Sequence, residues 1–476
     1  MAGFEARGAQ DRRRLLRRAK QLRRGFLAAF ALLLCGAAIA QADTGSIGAV
    51  GLNDIRSDGI LLPNADWDGS ADLTLAANAG VTLYRARVQL NCVDPNNTGT
   101  FNFTSPSSSC YGLSYDQLVA ALADRGMTLL PVLIDLDKSG VPVPPTANGN
   151  PSISEFAAFA AAAAKRYGPN GTFWPTCGCT PEPIQAWEIW NEENNGWWWG
   201  GDASASAYGA VLQATRSALR SVDPQARIVV GGLTFDPNGE SSFVEPADFI
   251  KGLAASNANA FDAVAVHPYT DAQGASAAQL ASAAMAYVNE TASALVAATG
   301  PSATGGPRQQ IWVTEMGWST TDASAATIAD GLQDFLGDVQ SDRTQDNIGP
   351  VLWYMLRDNA TIGSRDDGLG LRYTSSDGSD AGAKPAWAVL SSAAQQMGTV
   401  ALPPALSDTG PYVPGATTAT VPTTKGASGA KSGKPKKASK HGHKAAVRCS
   451  SARRHGRIVR TCKRVASART KTKRHS

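Results

Sequence analysis

The sequence predicts an α/β protein folded as a (β/α)8 barrel, and three observations carry that expectation. Short apolar runs alternate strictly with alanine-rich stretches of helical periodicity, and there are eight of them. Strict alternation implies parallel strands joined by right-handed crossovers. The ends of the runs recur about every 35–55 residues over about 360, the spacing of eight strand-helix units with insertions.

The runs are Ile47–Leu52, Val81–Val88, Thr128–Ile134, Ile184–Trp190, Arg227–Gly231, Ala263–Val266, Gln310–Thr314 and Pro350–Met355. A helix around Ala71–Ala79 follows the first. Ser114 is placed to cap Tyr115–Arg125 before Gly126, and Ser154 to cap Glu155–Tyr167 before Gly168. Ala203–Val222 stops before Pro224, and Pro246 can open the stretch to Ala255. Ala275–Thr299, Ala323–Val339 and Pro385–Met397 follow the later runs. A doubly wound open sheet is the rival. It wants a glycine-rich phosphate loop after its first strand, which Gly48-Ala49-Val50-Gly51-Leu52-Asn53 does not supply.

The ends of the 476-residue chain differ from its middle. Residues 1–24 hold nine Arg and Lys, followed by the apolar run Phe26–Ile39 and the small-residue site Ala40-Gln41-Ala42. Residues 1–42 are therefore expected to be an export signal that takes Cys35 with it, too short in its apolar part for a membrane span. Arg23-Arg24 also resembles twin-arginine export, and the general secretory route stays equally open. From Asp43 to Thr424, 17 Lys and Arg stand against 38 Asp and Glu, a net of −21; residues 425–476 carry 18 Lys and Arg and no acid. The expected organisation is a barrel domain over 43–400, a Pro/Thr/Gly linker over 401–424 and a disordered basic tail over 425–476.

Six cysteines remain after signal removal, an even number that in an exported chain favours disulfides. Proximity suggests 92–110, 177–179 and 449–462, with other pairings open.

Two glutamates stand out. Glu192 closes Trp187-Glu188-Ile189-Trp190-Asn191-Glu192, and Glu315 closes Ile311-Trp312-Val313-Thr314-Glu315 before Met316-Gly317-Trp318. In a barrel of this kind the C-terminal ends of strands carry the chemistry, so runs four and seven bring two carboxylates and several aromatics to one mouth.

Trp190-Asn191-Glu192, His267-Pro268-Tyr269, Thr314-Glu315-Met316-Gly317-Trp318 and Trp353 on the eighth strand together resemble the clan A glycoside hydrolases, in order as well as type. Within the clan, the resemblance leans to family 39-like or family 5-like enzymes. It implies a retaining glycosidase acting on an oligo- or polysaccharide through β bonds, with Glu192 as general acid/base and Glu315 as nucleophile. It further implies that Asn191 binds the sugar 2-hydroxyl, that Arg85 orients the nucleophile, and that His267 and Tyr269 stand beside it. Arg87 and Glu193 depart from the clan's pattern. Structural roles compete with these: an Arg85–Glu188 ion pair, and a buried, satisfied His267. Among Trp197, Trp198 and Trp199, at least one is expected to form a sugar-binding wall, with Trp198 the candidate, joined by Trp318 and Trp353. The rival role for the tryptophan run is to plug its loop onto the barrel.

Two carboxylates need neither metal nor organic cofactor, and none is expected; one histidine in the barrel region is a poor zinc inventory. No G-x-S-x-G supports a serine nucleophile. A non-catalytic carbohydrate-binding barrel is the alternative function. The chain is expected to be a monomer, secreted or held at the cell surface. Its tail charge suits an anionic surface polymer, and without aromatics it offers no stacking platform for nucleic acid. His441, His443, His455, Cys449 and Cys462 leave a metal site in the tail as the alternative to a disulfide.

Overall fold

Eight parallel strands close into a barrel in sequence order: β2 (Val50–Asn53), β3 (Leu83–Gln89), β4 (Thr128–Ile134), β5 (Ala186–Ile189), β6 (Arg227–Thr234), β7 (Ala263–His267), β8 (Gln310–Val313) and β9 (Ile348–Tyr354), the last returning to pair with β2. Each is followed by a helix on the outside: α1 (Gly69–Asn78), α2 (Tyr115–Ala123), α3 (Ile153–Tyr167), α4 (Ala205–Val222), α5 (Pro246–Asn257), α6 (Ala277–Thr299), α7 (Ala325–Asp342) and α8 (Pro385–Met397). The (β/α)8 barrel read from the sequence is the fold. In this computed structural model the described residues are 45–53, 69–104, 114–235, 242–257, 259–359, 363–406, 447–454 and 457–464. The expected signal segment lies outside them. No helix among the described residues is long and apolar enough to cross a membrane.

Local chemistry explains where helices begin. Ser114 and Ser276 form reciprocal capping boxes with Gln117 and Gln279, each satisfying two backbone N–H groups left open by the first turn. The third helix corrects the sequence reading. Its cap is Ser152, which accepts from the Glu155 amide while Glu155 answers to the Ser152 amide, so the helix starts at Ile153 and Ser154 lies inside it.

Strand alternation sorts the core into two parts. Leu83, Leu130, Ala186, Val229, Ala263, Ala265, Trp312 and Leu352 form an apolar cluster of their own, whereas the alternate residues pack with the helices in the main core. Two residues further along their strands, Leu83, Ala186, Ala265, Trp312 and Leu352 are succeeded by Arg85, Glu188, His267, Thr314 and Tyr354. The cluster is thus the platform under a polar layer.

At the opposite end, β1 (Ser46–Gly48) pairs antiparallel with β12 (Thr399–Ala401). After β9 the short strands β10 (Arg372–Thr374) and β11 (Asp380–Ala383) pair with each other. The domain continues past the boundary expected at residue 400. Leu402 is buried, Arg227 Nε donates to the Pro403 carbonyl at 2.9 Å, and Arg216 donates to the Leu406 carbonyl at 2.9 Å. Asp262, paired with Arg220 at 2.7 Å, accepts from the Leu406 amide at 2.6 Å. A buried leucine and carbonyls captured by arginines define this edge better than composition does.

The chain divides into two compact units, Met1–Thr418 and Ala419–Ser476. Within the second, β13 (Val447–Arg454) and β14 (Arg457–Arg464) form an antiparallel hairpin with Cys449 opposite Cys462. In the first, the Cys177 and Cys179 sulfurs are bonded. Cys92 is also disulfide-bonded, and Cys110, its expected partner, lies outside the described residues.

Candidate active site

Arg85, on β3, organises the polar layer. Its Nε and Nη2 donate to the two oxygens of Glu188 at 2.7 and 2.8 Å, Nη2 also to Asn191 Oδ1 at 2.9 Å, and Nη1 to Glu315 Oε1 at 2.5 Å. The two roles weighed from the sequence, partner of Glu188 and orienter of Glu315, are held together by one guanidinium. Such a planar fork suits this bidentate arrangement, which an ammonium could not reproduce. Glu188, fully buried, is further met by the Gly232 amide at 3.1 Å and the Thr314 hydroxyl at 3.2 Å.

Glu192 follows β5 and Glu315 follows β8, as the two sequence runs suggested. Glu315 also accepts from Tyr269 Oη at 3.0 Å. His267, fully buried at the end of β7, lies 2.9 Å from Glu192 through Nδ1 and 3.1 Å from Thr314 Oγ1 through Nε2. Its structural and functional roles are therefore one: both nitrogens are engaged, and one engages a carboxyl of the mouth. Glu192, His267 and Glu315 each bring an oxygen or nitrogen to within 4.8 Å of the others. This is also metal-ligand spacing; here Nδ1 and the Glu192 oxygen are joined directly by a hydrogen bond.

The electrostatics separate the two carboxyls. Burial pushes Glu192 up, and the opposing pull of His267 does not cancel it. Burial would also raise Glu315, but the influence of His267 and the Arg85 guanidinium, with hydrogen bonds from Arg85 and Tyr269, holds it below the ordinary carboxylate value. One group is thus disposed to keep its proton and the other to lose it, the division of labour that acid and nucleophile require.

The backbone that delivers Glu192 is strained. Trp190 and Glu192 have φ of 71° and 48°, a region non-glycine residues avoid. Just after them the chain is tied down by Asn194, whose amide donates to the carbonyls of Thr234 and Val244, both at 2.8 Å, and accepts from the Thr234 amide at 3.1 Å. The register of β6 shifts between Val230 and Leu233, across two consecutive glycines. A Cβ on Gly232 would stand 1.8 Å from the His267 ring, and one on Gly231 would stand 2.3 Å from a Glu193 oxygen and 2.6 Å from the Trp190 carbonyl.

A cavity of about 530 Å3 opens above the pair, with Trp198, Phe235, Tyr269, Asp271, Tyr354 and Arg365 in its walls. A smaller compartment of about 80 Å3 adjoins it, lined by Asn53, Arg85, Arg87, Asn191, Trp198, Glu315 and Tyr354. The three tryptophans of the loop part company. Trp197 is 57% exposed, Trp198 borders both compartments, and Trp199 is buried edge-on against Trp190 and Tyr208.

Trp318 and Trp353 are placed differently from the sequence expectation. Each is 1% exposed; Trp318 Nε1 donates to Thr270, Trp353 Nε1 donates to the Leu369 carbonyl, and the rings pack edge to face. They support the wall from behind, and Tyr354 faces the cavity in place of Trp353. Alternation carried the signal for this, because Leu352 belongs to the lumen cluster and the next residue of the same parity is Tyr354. Asn53 and Asp271 were also passed over in the sequence reading; Asn53 ends the first strand, the kind of position that builds such mouths.

The family model for cellulase (glycosyl hydrolase family 5) matches residues 61–359. No curated protein sequence matches the chain. Among solved structures, a family 39 glycoside hydrolase from the gut symbiont Bacteroides cellulosilyticus WH2 is similar at 19% identity and TM-score 0.51, over 75% of this chain and 65% of that one. A glucosidase from Croceicoccus marinus is similar at 14% identity and TM-score 0.51, over 74% and 67%. GH5_18 from Streptomyces cattleya, in complex with GlcNAc, is similar at 18% and 0.51, over 74% and 80%. The chain thus spans about two thirds of the length of the Bacteroides protein, and these likenesses speak for the shared barrel. With a family match across most of the barrel, the chain belongs to glycosyl hydrolase family 5, in clan A, and is a glycosidase.

Proposed function

We propose that this glycosidase hydrolyses β-linked oligo- or polysaccharides with retention of anomeric configuration. The observation that carries the reading is the approach of Glu192 and Glu315 oxygens to within 4.8 Å. Retaining enzymes hold their carboxyls about 5–5.5 Å apart, whereas inverting enzymes leave about 6.5–9.5 Å for a water. Ionised Glu315 attacks the anomeric carbon while protonated Glu192 gives its proton to the departing oxygen. Water, relieved of a proton by Glu192, then attacks the glycosyl-Glu315 ester, which releases the sugar and restores both groups. Arg85 and Tyr269 aim the attacking oxygen, and Asn191, itself fixed by Arg85, is placed for the 2-hydroxyl.

The volume of the cavity and its Trp198 and Tyr354 walls support an oligosaccharide substrate, and the cellulase description of the family model makes β-glucans the first class to test. The basic signal-like segment supports export, and the +18 tail supports retention on an anionic surface polymer that salt would release. The test is hydrolysis of a panel of aryl β-glycosides and β-glucans by wild type, Glu192→Ala and Glu315→Ala, with the anomer of the first product read by NMR. Loss of activity in both variants and a retained anomer are expected; an inverted product overturns the mechanism.

A further inference from the structure

Glu193 is the buried acid that this chemistry leaves unused. It is fully buried, and neither carboxyl oxygen has a hydrogen-bond partner of acceptable geometry. It follows the acid/base residue directly, at the far side of the strained turn, with its carboxyl where a Gly231 side chain would otherwise stand. The groups that act on it are its own backbone amide, Glu188 on β5, Tyr208 on α4 and its neighbour Glu192. Two are acids, so an ionised Glu193 would face like charge, opposed by little more than its own backbone amide.

Tyr208 decides where the proton belongs. Its hydroxyl gives its one hydrogen to the Ile189 carbonyl at 2.7 Å and faces the Gly231 amide at 3.3 Å. A phenol oxygen has two lone pairs, so one remains, and a hydrogen bond between Tyr208 and Glu193 requires the proton to sit on Glu193. We propose that Glu193 is a positioning residue: a neutral carboxylic acid, wedged between β5, β6 and α4 and donating to Tyr208, that holds the Trp190–Glu192 turn so that Glu192 meets His267 and the substrate. Burial also raises its pKa well above the ordinary carboxyl range, in the same direction.

The inference rests on Glu192 as acid/base, so its test has one arm that needs no substrate. Infrared difference spectra of wild type against Glu193→Gln at neutral pH are expected to show the carbonyl band of a protonated carboxylic acid; its absence overturns the proposal whatever the enzyme hydrolyses. In the kinetic arm, Glu193→Ala is expected to lower kcat about tenfold or more with KM within about threefold, and Glu193→Gln, uncharged and of the same shape, to recover most of it. Unchanged kcat per folded molecule in Glu193→Ala, or a Gln variant as impaired as Ala, overturns it. Should the Ala variant not fold, Tyr208→Phe is expected to move the acid's band to that of an unbonded carboxyl, and an unmoved band counts against the proposal.

Discussion

Arg85 and Glu315 stand 230 positions apart in the chain and meet at 2.5 Å across the barrel mouth. The same guanidinium holds Glu188, so its removal leaves two carboxylates without their cation. Arg85→Ala is expected to cost about 3–5 kcal/mol in denaturant unfolding, the usual penalty for stranding a buried charge. Arg85→Lys keeps the charge but loses the fork, and should fall between Ala and wild type in both stability and kcat.

The pH profile of kcat/KM should be a bell, because activity needs Glu315 ionised and Glu192 protonated. His267 pulls both carboxyls downward, against the burial that raises them. His267→Ala removes that pull, so both limbs should move to higher pH, alongside a loss of rate. A shift of either limb to lower pH contradicts this electrostatic assignment.

Glu193 gives a separate signature in stability. Its folded pKa is raised, so the folded state keeps a proton that the unfolded chain releases as pH rises above the ordinary glutamate value. Stability should therefore fall with pH from there up through the folded pKa. Chemical denaturation across that range should show a flatter decline for Glu193→Gln than for wild type.

Gly232→Ala is the smallest change expected to disable the site. Its Cβ would collide with the His267 ring, which is fixed by Glu192 and Thr314 and cannot yield without breaking one of those contacts. A displacement of about an ångström at a catalytic contact costs on the order of a hundredfold in rate, to be read in kcat against a melting curve.

Side-chain parity separates two neighbours. Tyr354→Ala should weaken substrate binding and act on KM, because Tyr354 lines both compartments. Trp353→Phe should act on the melting temperature and leave KM near wild type. Trp198→Ala should cost about 1–2 kcal/mol of kcat/KM, roughly five- to thirtyfold, through lost apolar contact with the sugar.

The sequence made some features legible and hid others for physical reasons. Strand-helix alternation is a strong periodic signal, and each of the eight runs overlaps a barrel strand. Glu192 and Glu315 were legible because both end such runs. The cap at Ser152 was missed because two serines lie two residues apart, and the answer depended on which one Glu155 could reach back to. Trp353 was legible only through the clan resemblance, which does not tell which face of the strand a ring takes; the parity of the strand gives the cavity to Tyr354. The joint hold of Arg85 on Glu188 and Glu315 is a three-dimensional fact, and spacing along the chain contains no trace of it.

The adjacent glycines of β6 also constrain the order in which this sequence could have been reached. A side chain at 231 and the glutamate at 193 compete for one volume, as a side chain at 232 and the imidazole of His267 compete for another. A side chain at 231 would also meet the Trp190 carbonyl at 2.6 Å, so glycine is required there whatever stands at 193, and glutamate at 193 could be accommodated only on that background. The two positions form an epistatic pair: relatives should be found with Gly231 and another residue at 193, and combinations of Glu193 with a bulky residue at 231 should be missing.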